Sequence, residues 1–210
     1  MIATTQSPAP GIAPSLLGRE DYAIISALVP QGAKVLDVGC GEGELLHWLT
    51  ENKGVEGRGI ELESGKVHKA ISKGLSVYQG DINAGLTAYP DDAFDVVVLS
   101  QTLQETQHPR EVMAEMLRIG RKVVVTFPNF AHWSVRISLL FHGKAPRTKF
   151  LPYSWYNSPN IRVLSIADFE DLIAEENWRI ENRIFLTGHR RVTRWPNLLA
   201  DVAICLVTKR

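Results

Sequence analysis

KVLDVGCGEG, residues 34–43, is the stretch of sequence that decides the fold. The branched apolar residues of 34–38 predict a short buried strand, and the apolar spacing after Gly43 predicts a helix. Glycines at alternate positions between the two allow a tight turn and a close approach of a ligand to the backbone. The helix that follows would point unpaired N–H groups at that ligand. The sequence therefore predicts a strand, a ligand-binding glycine loop and a helix.

The same alternation of strand and helix continues along the chain. In residues 94–100, four consecutive apolar residues without alternation predict a strand that is buried on both faces. Such a pattern predicts an α/β fold, with helices on both faces of an open twisted sheet and ligands beyond the carboxyl ends of its strands. We expect a three-layer, Rossmann-like fold with a mostly parallel seven-stranded sheet. The last strand, 201–208, would run antiparallel and form a hairpin-like edge with 178–186.

Length and composition exclude several classes of protein. The chain has 210 residues, and 23 Lys and Arg balance 23 Asp and Glu, so no overall field favours nucleic acid or an anionic membrane. The apolar runs are too short for a transmembrane helix. Cys40 and Cys205 lack the spacing of a metal site or a disulfide framework, which fits a cytoplasmic protein without a metal. We expect a flexible leader, 1–15, and a single domain, 16–210, with an insertion at about 129–160 over the site.

Carboxylates flank the glycine loop and end the neighbouring strands. Asp37 and Glu42 suit a ligand that carries a positive amine or sulfonium, and no Walker lysine is present. The spacing G-x-G-x-G differs from the dinucleotide fingerprint G-x-G-x-x-G, which disfavours an NAD-dependent oxidoreductase. Glu61 ends the second strand, where a carboxylate can accept hydrogen bonds from ribose hydroxyls. The motif GDIN, 80–83, could bind an adenine amino group and pack against its ring.

Four motifs, VLDVGCGEG, GIELE, GDI and FDVVVLSQTLQ, occur in this order within 34–129 and resemble those of class I S-adenosylmethionine-dependent methyltransferases. The resemblance implies S-adenosylmethionine as cofactor. Gly39 and Gly41 would then approach its methionine part, Glu61 its ribose, and Asp81 with Ile82 its adenine, while Ser100 would close the pocket. The implied cofactor-binding residues are Asp37, Gly39, Cys40, Gly41, Glu61, Leu62, Asp81, Ile82 and Ser100.

The whole chain, including TFPNFAHWSVRISLLFHGKAPRT (126–148) and SWYNSPNIRVLSIADFEDL (154–172), resembles the MetW family of methionine biosynthesis proteins. That resemblance implies a bacterial cytoplasmic protein that works with homoserine O-acyltransferase, acetyl or succinyl, in making O-acylhomoserine for methionine. Methyl transfer is not the step that this role requires. Two functions therefore stay open: an S-adenosylmethionine-binding partner or regulator of the acyltransferase, and an active methyltransferase on a small-molecule acceptor.

No motif identifies a catalytic residue. Methyl transfer from a sulfonium is an in-line displacement in which positioning supplies much of the acceleration, so a dedicated base is optional. We expect His108 to help start a helix, and His132 and His142 to serve packing or an interface. The candidate bases are Glu105, His108, His132, His142 and Tyr153.

Nucleic acid is disfavoured as a substrate. The chain reads Ser-Gln-Thr-Leu at 100–103, not the Asn-Pro-Pro-Tyr motif of enzymes that methylate amino groups of nucleic acids. In a neutral protein, the basic C-terminal residues and Phe150 are better explained by an anionic substrate pocket or a protein contact. These residues are Arg136, Lys144, Arg147, Lys149, Arg190, Arg191 and Arg194. Four aromatic residues, Trp133, Trp155, Tyr156 and Trp195, are either interface anchors or core residues.

Overall fold

A computed structural model of the chain describes residues 19–82, 86–148 and 151–210, with side chains from Tyr22 onward. The proposed leader, 1–15, and Asn83, Lys149 and Phe150 lie outside the described residues. The helices are α1 (Arg19–Leu28), α2 (Glu44–Lys53), α3 (Ser64–Ser72), α4 (Pro109–Ile119), α5 (Trp133–His142), α6 (Ile166–Glu175) and α7 (Pro196–Leu199). The strands are β1 (Lys34–Val38), β2 (Glu56–Glu61), β3 (Ser76–Gln79), β4 (Phe94–Ser100), β5 (Gly120–Pro128), β6 (Arg179–Thr187), β7 (Arg190–Arg191) and β8 (Val202–Thr208).

The strands form one sheet in the order β3-β2-β1-β4-β5-β8-β6-β7. Strands β1 to β5 are parallel, and β8 runs antiparallel between β5 and β6. The α/β class, the mostly parallel sheet and the antiparallel last strand are confirmed. The sheet has eight strands where the sequence predicts seven, because the two-residue β7 pairs with β6 and is too short to show a pattern. The predicted antiparallel pairing of 178–186 with 201–208 at this end of the sheet is found as β6 with β8. Within this pair β8 is the inner strand, and all seven of its residues are buried.

Helices cover both faces of the sheet, and the strands between them supply two cores. Val97 and Val125 belong to the core under α4 and α6, whereas Val96, Val98 and Val124 belong to the core under α1 and α2. Burial on both faces is the reason that β4 and β5 show no alternation of apolar and polar residues. No helix in the described part of the chain is long and apolar enough to cross a membrane.

The order of the strands reverses at β1. Strands β2 and β3 lie on one side of it, and β4 and β5 lie on the other. Connections that leave in opposite directions open a crevice at the carboxyl ends of β1 and β4, where open α/β sheets bind their ligands. The glycine loop follows β1 directly and so lies at this crevice.

Candidate functional site

The glycine loop between β1 and α2 is fixed to the end of β2. Gly39, Gly41 and Gly43 have positive φ angles of 71°, 58° and 77°, a conformation that glycine adopts without steric cost. The N–H groups of Gly39 and Cys40 both donate to the carbonyl of Ile60, over 2.8 and 3.0 Å. The tight turn predicted from the sequence is thus held in place by backbone hydrogen bonds.

The surroundings of Gly39 and Gly41 differ. A Cβ atom on Gly39 would lie 2.8 Å from Oγ1 of Thr102, so this position is closed by the turn after β4. A Cβ atom on Gly41 would meet no atom of the described residues within 4 Å. Gly41 therefore faces open space in front of the loop, where a ligand can approach the backbone.

Glu61, at the end of β2, accepts backbone hydrogen bonds with both of its carboxylate oxygens. Its Oε2 accepts from the N–H of Gly41 over 2.9 Å, and its Oε1 accepts from the N–H of Glu63 over 2.9 Å. The side chain is only 7% exposed. Each carboxylate oxygen can accept more than one hydrogen bond, so Glu61 can hold the loop and still accept from ribose hydroxyls.

Three buried oxygen atoms near the crevice have no hydrogen-bond partner among the described residues: Asp37 Oδ1, Gln101 Oε1 and Gln104 Oε1. Asp37 lies on β1, and the glutamines follow the neighbouring β4. A buried acceptor without a donor costs about 1–3 kcal/mol. All three are acceptors, so the carboxyl ends of these two strands suit a ligand that carries N–H donors or a positive charge.

Burial and the negative charge of Glu61 raise the pKa of Asp37 from 3.8 to about 7. A cationic ligand would favour the ionised carboxylate again and so offset this shift. The same two carboxylates, together with burial as the largest cause, raise the pKa of the Cys40 thiol well above its usual range. Cys40 is therefore a neutral thiol and a poor nucleophile.

The turn after β4 contributes residues that the sequence reasoning missed. Gln101 has a positive φ of 53°, and its N–H donates to Oγ1 of Thr126 on β5 over 3.0 Å. Gln104 donates from Nε2 to the Gln101 carbonyl over 2.6 Å, and Thr102 donates from Oγ1 to the Ser100 carbonyl over 2.9 Å. One pattern in the sequence could have predicted them, namely polar residues directly after a strand with a buried apolar centre.

The adenine side of the predicted site lies beyond β2. Leu62 follows Glu61 with 65% of its surface exposed. The N–H of Gly80 donates to the Glu61 carbonyl over 3.0 Å, which places Asp81 and Ile82 beside the end of β2. Ile82 also packs partly on the core. The structure therefore brings these three predicted residues to the same edge as Glu61.

Two other predicted cofactor residues direct their side chains elsewhere. The Cys40 sulfur lies over Gly59, where a Cβ atom would be 2.6 Å from it, so the thiol packs against β2 behind the loop. The Ser100 hydroxyl lies 3.4 Å from Oγ1 of Thr126 and so faces β5. The roles of Cys40 and Ser100 at a cofactor stay predictions.

Among the candidate bases, Glu105 lies in the turn Leu103–Glu105 that directly follows β4. Desolvation raises its pKa, Lys66 opposes this shift, and the charge of Glu61 adds to it. The influence of Glu61 shows that this carboxyl group lies near the end of β2.

The three histidines among the candidate bases lie at the ends of helices. His108 directly precedes α4 and lines a cleft of about 270 Å³ with Ile82. His132 caps α5, with Nδ1 2.8 Å from the Ser134 hydroxyl and Nε2 3.4 Å from the buried Asp201 carboxylate. His142 is the last residue of α5. His132 thus caps the start of α5, a role that differs from the packing or interface role that we expected.

Residues 151–164 have no helix or strand and run past the turn after β4. The N–H groups of Ile161 and Arg162 both donate to the Gln104 carbonyl, over 3.0 and 2.9 Å. Tyr153, also a candidate base, lies half-buried in this segment. Within the described ranges, no group of three His, Cys, Asp or Glu side chains could hold a metal ion.

Several solved structures and known sequences that are similar to this chain are methyltransferases or methionine biosynthesis proteins. An S-adenosylmethionine-dependent methyltransferase from Mesorhizobium loti superposes with a TM-score of 0.67 over 91% of this chain and 99% of its own, at 16% identity, which shows the fold. A demethylmenaquinone methyltransferase of Listeria monocytogenes is 23% identical over 80% of this chain and 78% of its own.

A bifunctional methionine biosynthesis protein MetXA/MetW of Rhodopirellula baltica is 35% identical over 197 residues, 88% of this chain. The chain spans about a third of that relative's length, 32%. The family model of the methionine biosynthesis protein MetW matches residues 19–207, nearly the whole chain. This chain therefore belongs to the MetW family of methionine biosynthesis proteins.

Proposed function

We propose that this chain binds S-adenosylmethionine at the crevice between β1 and β4 and acts with homoserine O-acyltransferase in forming O-acylhomoserine for methionine. The observation that carries the cofactor part is the set of three unpaired buried oxygens, on Asp37, Gln101 and Gln104, next to the open space before Gly41. An ammonium group supplies the charge and donors that such acceptors need.

The residues present fit the parts of this cofactor. Asp37 and Gly41 would hold its methionine end, Glu61 would accept from its ribose hydroxyls, and a set of residues beyond β2 would hold its adenine. That set is Leu62, Asp81 and Ile82. When bound, the cofactor supplies a sulfonium methyl group, and its concentration reports how much methionine the cell has made.

The partnership is supported by the relative whose name joins MetXA and MetW. When two proteins of one pathway are parts of one polypeptide, they are held at equal amounts and at a high effective concentration. The step from homoserine to O-acylhomoserine consumes no methyl group. We therefore assign this chain a regulatory role towards the acyltransferase in the cytoplasm, whether the acyl group is acetyl or succinyl.

Two measurements test this function. Calorimetric titration with S-adenosylmethionine and with its demethylated product should show binding of both; binding of neither would overturn the cofactor assignment. Acyltransferase activity should change when this chain is added, and S-adenosylmethionine should alter the size of that change. An acyltransferase that neither associates with the chain nor changes its rate would overturn the partnership.

A second candidate function is methyl transfer to a small-molecule acceptor. Glu105 favours it, because this carboxylate lies in the turn directly after β4, at the end of the sheet where a general base could accept a proton. The test is incubation with S-adenosylmethionine labelled on its methyl group and a bacterial metabolite extract. A labelled product that the Gly39→Arg protein does not form would establish this activity, whereas equal labelling with both proteins would exclude it.

A further inference from the structure

Helix α5 exposes a stripe of large apolar side chains. Trp133, Ile137, Leu140 and Phe141, here named the α5 strip, lie at helix positions i, i+4, i+7 and i+8 and so share one face. Leu140 is 77% and Phe141 74% exposed, and only Val135 of this helix is buried. A cluster of this kind on a folded surface marks a binding site.

Trp195, at the start of α7, is held in an unfavourable backbone conformation while exposed to solvent. Arg136 on α5 donates from Nη2 to the carbonyl of Asn197 over 3.4 Å, which joins α5 to α7. Trp195 precedes α7 with φ 49° and ψ 51°, the left-handed region, and is 75% exposed. Strain of this kind concentrates at functional sites. Burial within this chain does not offset it, so a binding role explains it.

The segments that carry the α5 strip and Trp195 differ in charge from the rest of the chain. Residues 129–167 contain five Lys and Arg and no Asp or Glu, and residues 182–200 contain four Arg and no Asp or Glu. The rest of the sequence therefore contains 14 basic and 23 acidic residues. Segments that combine basic residues with exposed apolar side chains favour a partner with acidic residues around an apolar groove.

A second copy of this chain is a poorer occupant of the surface. In a symmetric dimer the same patch meets itself, so these basic residues would face their own copies. The MetXA/MetW relative indicates a different occupant, since two thirds of its length lies outside the part that this chain matches. That remainder includes the portion named MetXA.

We propose that the α5 strip, together with Trp195, is the surface on which homoserine O-acyltransferase docks. The acyltransferase would present an apolar groove rimmed by carboxylates. The identity of the partner rests on the proposed function, whereas the surface rests on the geometry of α5 and α7. Aromatic side chains at the centre of an interface commonly carry most of the binding energy.

The test measures binding of the purified acyltransferase of the same organism to the full chain and its variants by calorimetry. The double variant Leu140→Ser/Phe141→Ser should bind about tenfold or more weakly. Its matched control is Ile71→Ser/Tyr78→Ser, which removes two apolar side chains that are 50% and 64% exposed on α3 and β3. The control should bind like the wild type.

Trp195→Asn separates docking from folding. Asparagine tolerates the left-handed region, so this variant should be at least as stable as the wild type and yet bind the acyltransferase more weakly. A purely structural Trp195 would give the opposite result, with lower stability and unchanged binding.

The outcomes separate this inference from the proposed function. No association of the wild type overturns the partnership, and the docking surface with it. Association that is unchanged in Leu140→Ser/Phe141→Ser overturns the docking surface alone. If that variant still binds the acyltransferase but loses a dimer seen by light scattering, or loses co-sedimentation with anionic vesicles, the surface serves a second copy or a membrane and the inference is wrong.

Discussion

The crevice at β1 and β4 and the α5 strip belong to the same chain but differ in nearly every physical property. The crevice is acidic, and its carboxylates Asp37 and Glu61 are buried, with Glu61 accepting a backbone hydrogen bond from Gly41. The α5 strip is apolar and exposed, in a segment that contains basic and no acidic residues. Small-molecule sites need preorganised polar groups in a concave pocket, whereas protein interfaces need exposed anchors. The difference teaches that a net charge of zero can conceal two sites of opposite character.

The largest effect should follow from a side chain at Gly39, which would displace the turn after β4 that borders the crevice. In Gly39→Val the new side chain would enter the space of Thr102 at a φ of 71°, so we expect S-adenosylmethionine affinity to fall about 100-fold or more, roughly 3 kcal/mol. Gly32→Val is the matched control, since Gly32 has a φ of 66° but no atom of the described residues within 4 Å of a Cβ. It should cost stability and leave affinity unchanged. Equal losses of affinity in both variants, measured by calorimetry, would show that the contact between position 39 and Thr102 does not govern S-adenosylmethionine binding.

Asp37→Asn tests the charge of the crevice. We expect the variant to bind S-adenosylmethionine about tenfold more weakly at pH 8, because the ligand's ammonium loses its anionic partner. In the wild type, affinity should fall between pH 8 and pH 6 as Asp37, with its pKa of about 7, becomes protonated. Calorimetric titrations at both pH values should show this fall in the wild type and not in the variant.

The stability of the ligand-free protein should depend on pH through the same carboxyl group, that of Asp37. Because the pKa of Asp37 is raised from 3.8 to about 7, the folded state keeps a proton that the unfolded state loses between these values. The contribution of Asp37 to the free energy of unfolding therefore falls as pH rises from about 4 to about 7. Asp37→Asn should unfold at a higher temperature than the wild type at pH 8, and this advantage should shrink at pH 5. Asp171→Asn, at an exposed position, serves as the control. The difference between its unfolding temperature and that of the wild type should be the same at both pH values.

Glu61→Gln weakens the loop without changing its shape. One carboxylate oxygen is replaced by an NH2 group that meets the N–H of Gly41 or Glu63, so one hydrogen bond is lost. We expect a loss of about 1–2 kcal/mol in the free energy of unfolding, measured by denaturant titration. Glu56→Gln on the same strand breaks only a surface pair with Arg58 at 3.8 Å and should cost at most about 0.5 kcal/mol. A loss as large in the control would show that Glu61 does not hold the loop.

The smallest effect should come from the α5 strip. Leu140→Ser/Phe141→Ser should change the free energy of unfolding by no more than about 0.5 kcal/mol, because both side chains are exposed. Its S-adenosylmethionine affinity should equal that of the wild type. A large drop in melting temperature would show that α5 packs on the body of the domain, and the contrast between the two regions would fail.

The parts that sequence reasoning predicts well are those where one local pattern suffices. The strands at 34–38 and 94–100 and the helix that starts at Pro109 appear with the predicted bounds, because hydrophobic runs, glycines and proline report local conformation directly. The two-residue β7 escaped prediction because it forms only through pairing with β6. Gln101 and Gln104 escaped for a similar reason, since their unpaired oxygens are a property of the packing around them.

By itself, the sequence determined the α/β class, the glycine loop and the carboxylates at the strand ends, because each depends on residues that are close together along the chain. The tertiary structure decided how far these groups act together. It placed Glu61 on the backbone of Gly41, buried Asp37 until its pKa rose to about 7, and inserted β8 between β5 and β6. It also left the apolar face of α5 uncovered. Burial and register depend on segments that are distant in sequence, so no local pattern carries them.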